Sequence, residues 1–264
     1  TLRAPTHFAE MTVNKLAMIA CLTMVQALTL PVLQAQSDDS FSARLSAAMK
    51  AEIRSEAEVA RDANRKPQET LAFMGITPDM KVLELIPSRG WYTKLLAPAI
   101  DDFHVAIGAT WVEENLISES GFDHINIVET ENMTLTRGGE FRLNSVSEFS
   151  FGEGGFDAVL TFRTMHNFDE AGRRAINKAA LEALSSGGIY GVVDHTRRHM
   201  EPLSQENRRR ADPVEIIKEA QDAGFMLHSY TNLHYKPTDD LTLEVGNDKV
   251  TGQTDRFTLV FRKP

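Results

Sequence analysis

The stretch Lys81–Pro98, KVLELIPSRGWYTKLLAP, decides the fold. Lys81 to Ile86 form a short apolar run with a single acid, Glu84, the pattern of a buried strand. Pro87 and Gly90 mark a turn, and Trp91 to Ala97 resume as a helix. Outward from this unit the same alternation repeats. His104–Ala109 (HVAIGA) predicts a second strand and Phe156–Phe162 (FDAVLTF) another. A helix is expected from Asp169 to Leu184, ended by Gly187 and Gly188, before a strand over Ile189–Asp194 (IYGVVD). Asp212, Pro213 and Glu215 predict an N-cap, a first-turn proline and a capping box for a helix ending at Gly224. Two late strands, near Met226–Leu233 and Arg256–Arg262, are expected to pair antiparallel, because TNLHYKPTDD between them is turn-rich. Strand–helix alternation of this kind implies right-handed crossovers and an α/β sandwich with a mostly parallel sheet and an antiparallel C-terminal strand.

Ahead of the sheet, Phe41, Leu45, Met49, Ile53 and Ala57 recur every fourth residue. This stripe predicts an N-terminal helical arm, residues 36–66, lying on a main domain of residues 67–264. A short helix is expected from Pro67 to Gly75. Between them RDANRKP (Arg61–Pro67) gathers three cations around a turn. It reads as a solvated helix end, or else as a lid over an anionic ligand; the first is the expectation. The run Arg208–Arg210 is likewise read as solvated surface.

Earlier still, Lys15 precedes the apolar run LAMIACLTMVQALTL, which Pro31 breaks before Leu33, Gln34 and Ala35. A basic flank, a short apolar core and a small-residue exit describe a secretory signal peptide. Residues 1–35 are therefore expected to comprise upstream residues and a cleaved signal, with the mature chain exported to a periplasm. The run is shorter than the roughly 20 residues a spanning helix needs, so no stable membrane span is expected. Cys21, the one cysteine, lies inside the run, which leaves the mature chain without disulfides or a thiolate nucleophile. The composition, 42% hydrophobic and 25% charged, is that of a soluble globular protein. A net charge of −9 argues against nucleic acid as a partner.

VLELIPSRGWYTKLLAP, FDAVLTFRTMHNF, LSSGGIYGVVDH, ADPVEIIKEAQDAGF and TDRFTLVFRKP, with RDANRKPQETLAFMGI ahead of them, resemble successive blocks of a known family. It is the family of exported, predicted class I S-adenosylmethionine-dependent methyltransferases. The resemblance implies a Rossmann-like class I methyltransferase sandwich, S-adenosylmethionine as cofactor, and methyl transfer to an acceptor, small molecule or other, that the sequence does not define. In that fold the acid ending the first strand is followed by three alternating glycines. Here Glu84 keeps the acid and Gly90 the last glycine, while Ile86 and Ser88 replace the first two and are expected to narrow the cofactor space. The acid that would hold the ribose after the second strand is missing: IGATWVEEN brings its first acids only at Glu113 and Glu114.

Ligands of such sheets sit beyond the carboxyl ends of the strands, where strand order reverses. Three tips, Glu84–Thr93, Thr161–Phe168 and Val192–Arg198, are therefore expected to converge on one pocket. Glu84, Pro87, Gly90, Trp91, Tyr92, Arg163, Asn167 and Asp194 are the candidate cofactor contacts, and His166 and His195 the candidate catalytic bases. Each has a plainer reading as well: an ion-pair partner for Glu84, a core cap for Trp91 and Tyr92, a loop brace for Arg163. Asp194 and His195 are adjacent on a strand and should point to opposite faces. His195 and His199 have an H-x-x-x-H spacing but follow a strand tip with two arginines between them, so no metal is expected. Two other readings compete. One is a non-catalytic ligand-binding protein on a degenerate methyltransferase fold. The other is a nicotinamide-dependent oxidoreductase, which lacks its G-x-G-x-x-G turn.

Overall fold

The computed structural model describes residues 40–264, so the signal-peptide reading falls outside the described residues. Side-chain alternation sets the layers. Along β1 (Lys81–Leu85), Val82 enters one apolar cluster while Leu83 and Leu85 enter another on the opposite face. β2 (Asp102–Ala106), β3 (Asn126–Val128), β8 (Phe156–Phe162), β9 (Leu184–His195), β10 (Met226–Thr231) and β11 (Arg256–Arg262) complete a seven-stranded sheet. Two small pairs, β4 (Thr130–Glu131) with β7 (Ser150–Phe151) and β5 (Leu135–Thr136) with β6 (Ser145–Val146), stand apart from it.

Sheet order is β10-β11-β9-β8-β1-β2-β3. The chain runs outward from β1 to β3, then restarts at β8 on the other side of β1, so the switch point lies between β1 and β8. The pairs joining β3, β2, β1, β8 and β9 are parallel, whereas β11 runs antiparallel to both β9 and β10. The two late strands thus pair antiparallel, with β11 inserted inside the edge that β10 forms.

One face is covered by α1 (residues 40–49), α4 (Pro67–Met74), α5 (Thr93–Leu96) and α6 (Thr110–Asn115); the other by α7 (Glu170–Ala183) and α8 (Pro213–Ala223). Residues 41–264 form one compact unit, which takes in the arm from Phe41 onward.

The arm is not one helix. Its apolar stripe is real, with Phe41 and Leu45 buried, but α1 ends at Met49. Arg54 then reaches back to cap the Met49 carbonyl at 2.7 Å and grips Asp62 at 2.5 and 2.9 Å. Ser55 and Glu58 close a capping box that starts a new helix, α2 (Glu56–Val59), followed by α3 (Asp62–Arg65). Further along, α7 stops at Ala183, short of the two glycines, and the chain enters β9 directly. Asp212 does cap α8, accepting from Val214 N–H, but Glu215 pairs with Arg197 at 2.7 Å.

The arm is bound to the C-terminal segment at four points. Lys66 Nζ donates to the Leu233 carbonyl (2.8 Å) and Arg256 Nη1 to the Asn64 carbonyl (2.9 Å). Lys236 Nζ meets Asn64 Oδ1 at 3.1 Å, and the His234 ring bonds the Arg65 carbonyl at 2.9 Å.

Candidate ligand site at the strand tips

The turn after β1 has an unusual backbone. Ile86, Ser88 and Gly90 all lie in the left-handed region, at φ 56°, 54° and 69°. These are the three positions the glycine motif would occupy. A left-handed conformation costs a non-glycine residue roughly 1–2 kcal/mol, and a β-branched one such as isoleucine rarely adopts it. The backbone is left-handed at all three positions with a glycine at only one of them. Glu84 anchors the turn from beneath: it is buried, and its carboxylate accepts from Thr93 Oγ1 at 2.6 Å. Burial pushes its carboxyl up to about 7, against the Thr93 hydrogen bond and the charge of Arg65, which act the other way.

Above the turn lies a cavity of about 660 Å³. Its size is within the roughly 300–1,000 Å³ typical of small-molecule sites. Glu84, Pro87, Trp91, Tyr92 and Arg163 line it, as do Ile86 and Ser88. Tyr92 stacks on Phe162 with ring centroids 3.6 Å apart, and Trp91 meets Tyr92 edge-on at 4.6 Å. The far wall comes from the arm, through Ile53, Glu58, Arg61 and Arg65. Glu58 is held by Lys94 at 3.0 and 3.1 Å, and its carbonyl accepts from Trp91 Nε1. At the β2 tip, Ile107 and Gly108 are also left-handed, and α6 then turns Trp111 into the cavity. Glu113 and Glu114 point to solvent, so no acid from β2 reaches a ribose position.

Five candidates lie elsewhere. Gly90 does not open on the cavity: a Cβ there would meet Trp111 at 3.2 Å and Leu116 at 3.5 Å, so its glycine serves helix packing as well as a positive φ. Asp194 is completely buried behind the sheet tips. It accepts from His166 Nδ1–H at 2.5 Å and from the backbone N–H groups of His166 and His195 at 3.0 and 2.7 Å. That bracing swings His166 and Asn167 into a separate hollow of about 310 Å³, beside Arg208 and Arg209. His195 faces a third hollow, of about 420 Å³, with its Nδ1 at 2.9 Å from Thr254 Oγ1. Burial holds the His195 imidazole well below its ordinary value, with His166 and nearby arginines pushing the same way. His199 lies on Asp212 at 2.9 Å, away from His195. The three tips therefore feed three neighbouring hollows and not one pocket.

Sequence reasoning missed Trp111, Glu58 and the arm's share of the site. Only the cations of RDANRKP hinted at it, and there the solvated reading fails: Arg65 is buried and both Arg61 and Arg65 line the cavity. In the Arg208–Arg210 run, Arg210 is buried on Asp239 at 2.9 and 3.0 Å.

No family model matches the chain, and no curated protein matches it in sequence. Solved structures do match. A SAM dependent methyltransferase from Aquifex aeolicus aligns with a TM-score of 0.53 at 11% identity, over 78% of this chain and 93% of its own. The fold is that of the class I methyltransferases. The glycopeptide N-methyltransferase MtfA, complexed with S-adenosylmethionine, aligns with a TM-score of 0.50 at 16% identity, over 75% of this chain and 93% of that one. The methyltransferase sheet accounts for the position of the cavity, which lies at its switch point, over β1 and β8.

Proposed function

We propose that the chain binds S-adenosylmethionine in the cavity over β1 and directs methyl transfer to an acceptor entering from the neighbouring hollow. The observation that carries this is the left-handed backbone at residues 86, 88 and 90 above a buried Glu84, on a methyltransferase sheet. Strain of this kind persists where the surrounding structure holds it for a purpose. The residues present suit such a ligand. Tyr92, Trp91 and Trp111 offer aromatic walls for a planar base, and Arg61 or Arg89 a partner for its carboxylate. Glu84, poised near neutrality, gains its charge most readily beside a cation.

The cofactor supplies an activated methyl group, so the chain's part is mainly to fix the acceptor in line with it. An acceptor that must shed a proton finds His195 neutral at pH 7 and facing the adjoining hollow. His166, with its Nδ1–H held on Asp194, is a second base, opening on the hollow beside Arg208.

Isothermal titration of the purified chain with S-adenosylmethionine tests the reading. Saturable binding, weakened in Tyr92→Ala, is expected; absence of binding would sink it. The alternative, a non-catalytic binding protein on the same fold, is favoured by Ile86 and Ser88 in the turn and by the missing ribose acid. Binding of S-adenosylhomocysteine with no binding of the methyl donor would decide for it. We also propose export on the pattern from Lys15 to Ala35. N-terminal sequencing of protein expressed in a bacterial host should then begin near Gln36, whereas an intact Met11 terminus on secreted protein would refute it.

A further inference from the structure

The hollow that His195 faces shares Arg61, Arg65 and Arg163 with the cavity over β1 and adds Arg209 and Arg256. Five arginines from four distant segments meet there, and among the described residues no carboxylate lines it. Arg65 is 4% exposed, and among the described residues its guanidinium has no hydrogen-bond acceptor or ion-pair partner. Its one strong contact is the Trp91 ring, 4.2 Å away, which covers a face of the guanidinium and leaves the in-plane N–H groups unused. The Nε atoms of Arg163 and Arg256 are buried without a partner.

Of the nearby acids, Asp194 serves His166 and two backbone amides, Asp255 accepts from Lys236 N–H, and Glu244 answers Arg209. Burial, with Arg163, Arg256 and Arg61 acting the same way, drags Arg65 down to about 8. Burial and Arg163 bring Arg256 to about 10. Arg209 and Arg256 are answered only in part, by Glu244 and by the Asn64 carbonyl, and a cluster of mutually repelling guanidinium groups with N–H groups to spare becomes favourable when planar oxyanions complete it.

We infer that this hollow seats an oxyanion, a carboxylate or phosphate group carried by the methyl acceptor, clamped by Arg65, Arg163 and Arg256. The acceptor assignment rests on the reading of the adjoining cavity as the methyl donor's; the anion site stands on its own geometry. Arg256, Arg209 and His195 do not line the donor's cavity, so this hollow is not merely its far end. An acceptor anchored there by its charged group presents its neutral end to the donor, with His195 beside it.

The test is calorimetric titration of the full chain in chloride buffer with inorganic phosphate and, separately, with succinate, alongside Arg65→Met and Arg256→Met. At least one anion should bind the parent chain saturably, and both variants should lose tenfold or more of that affinity. Phosphate alone binding identifies a phosphorylated acceptor, and succinate alone a carboxylated one. Arg65→Met should melt at or above the parent temperature in chloride, and Arg256→Met, which gives up the bond to the Asn64 carbonyl, should still unfold in a single cooperative transition well above the titration temperature, so loss of binding will not reflect unfolding. S-adenosylmethionine affinity should survive in Arg256→Met. No saturable anion binding, or equal binding in parent and variants, overturns the inference whatever the methyl donor does. Anion binding without donor binding instead overturns the methyltransferase reading and leaves the oxyanion site standing.

Discussion

Buried arginines are treated differently in two regions of this molecule. Beside the β9–β11 pair, Arg210 and Asp239 are both fully buried in their side chains and meet through two bonds, and Asp239 also accepts from the amides of Leu241 and Asp255. Every charge there has its answer inside the chain. Over the tips of β1 and β8, buried Arg65 and half-buried Arg163 have none among the described residues. The same residue type is a structural rivet in one place and an open clamp in the other. A buried ion pair joins its own fold together; an unanswered cation of comparable burial points to something that arrives later.

The largest effect expected is at the paired end. Asp239→Ala strands Arg210 in the interior and should destabilise the protein by about 3–5 kcal/mol, read from denaturant unfolding. A loss below 1 kcal/mol would mean that the two regions do not differ. Next comes Glu84, the carboxyl embedded at the bare end. Its proton is held to about pH 7 in the fold, against 4.5 for a glutamate open to water. The stability it contributes is therefore full below pH 4.5 and is lost as pH rises from there through 7. Glu84→Gln, neutral at every pH, should match the parent chain at pH 4 and exceed it at pH 8 by on the order of 3 kcal/mol. Melting curves that stay parallel across that range would show Glu84 ionised throughout and answering Arg65, which would break the comparison.

Ser88→Gly separates shape from charge. It relieves a left-handed serine and clears the cavity wall without touching an arginine, and should raise S-adenosylmethionine affinity up to roughly tenfold, about 1.4 kcal/mol. Unchanged affinity in a titration would place the obstruction elsewhere. The smallest effect is Arg65→Met, expected to raise the melting temperature in chloride by about 2–4 °C, roughly 1 kcal/mol. A fall of that size would reveal a partner for Arg65 in the free protein.

Most of the sheet was legible because its central strands are continuous apolar runs. FDAVLTF and RFTLVFR have the ends that the sequence pattern predicts, and β1 falls one residue short. The β4–β7 pairs were not, since two-residue strands in a polar stretch carry no period. The break in the arm was hidden for another reason: it depends on Arg54 reaching back to Met49 and forward to Asp62, contacts that a four-residue spacing cannot express. At the site, Glu84, Trp91, Tyr92 and Arg163 could be read from their places at strand tips. Gly90 misled, because a motif reading assigns a glycine to the ligand while the structure gives its open side to Trp111. The arginine hollow was out of reach, as its members lie between Arg61 and Arg256 and only folding joins them.

The four bonds between the arm and the C-terminal segment set an order of events during synthesis. Domains made on a ribosome begin to organise from the N-terminus. Here the residues that wall the cavity emerge early, and Glu58 can meet Lys94 and Trp91 as soon as α5 is made. Asn64, Arg65 and Lys66, by contrast, take backbone and side-chain bonds from Leu233, His234, Lys236 and Arg256. A nascent chain holding every strand through β9 would have one end of the wall tied down and the other loose, and the wall is closed only when β11 pairs between β9 and β10.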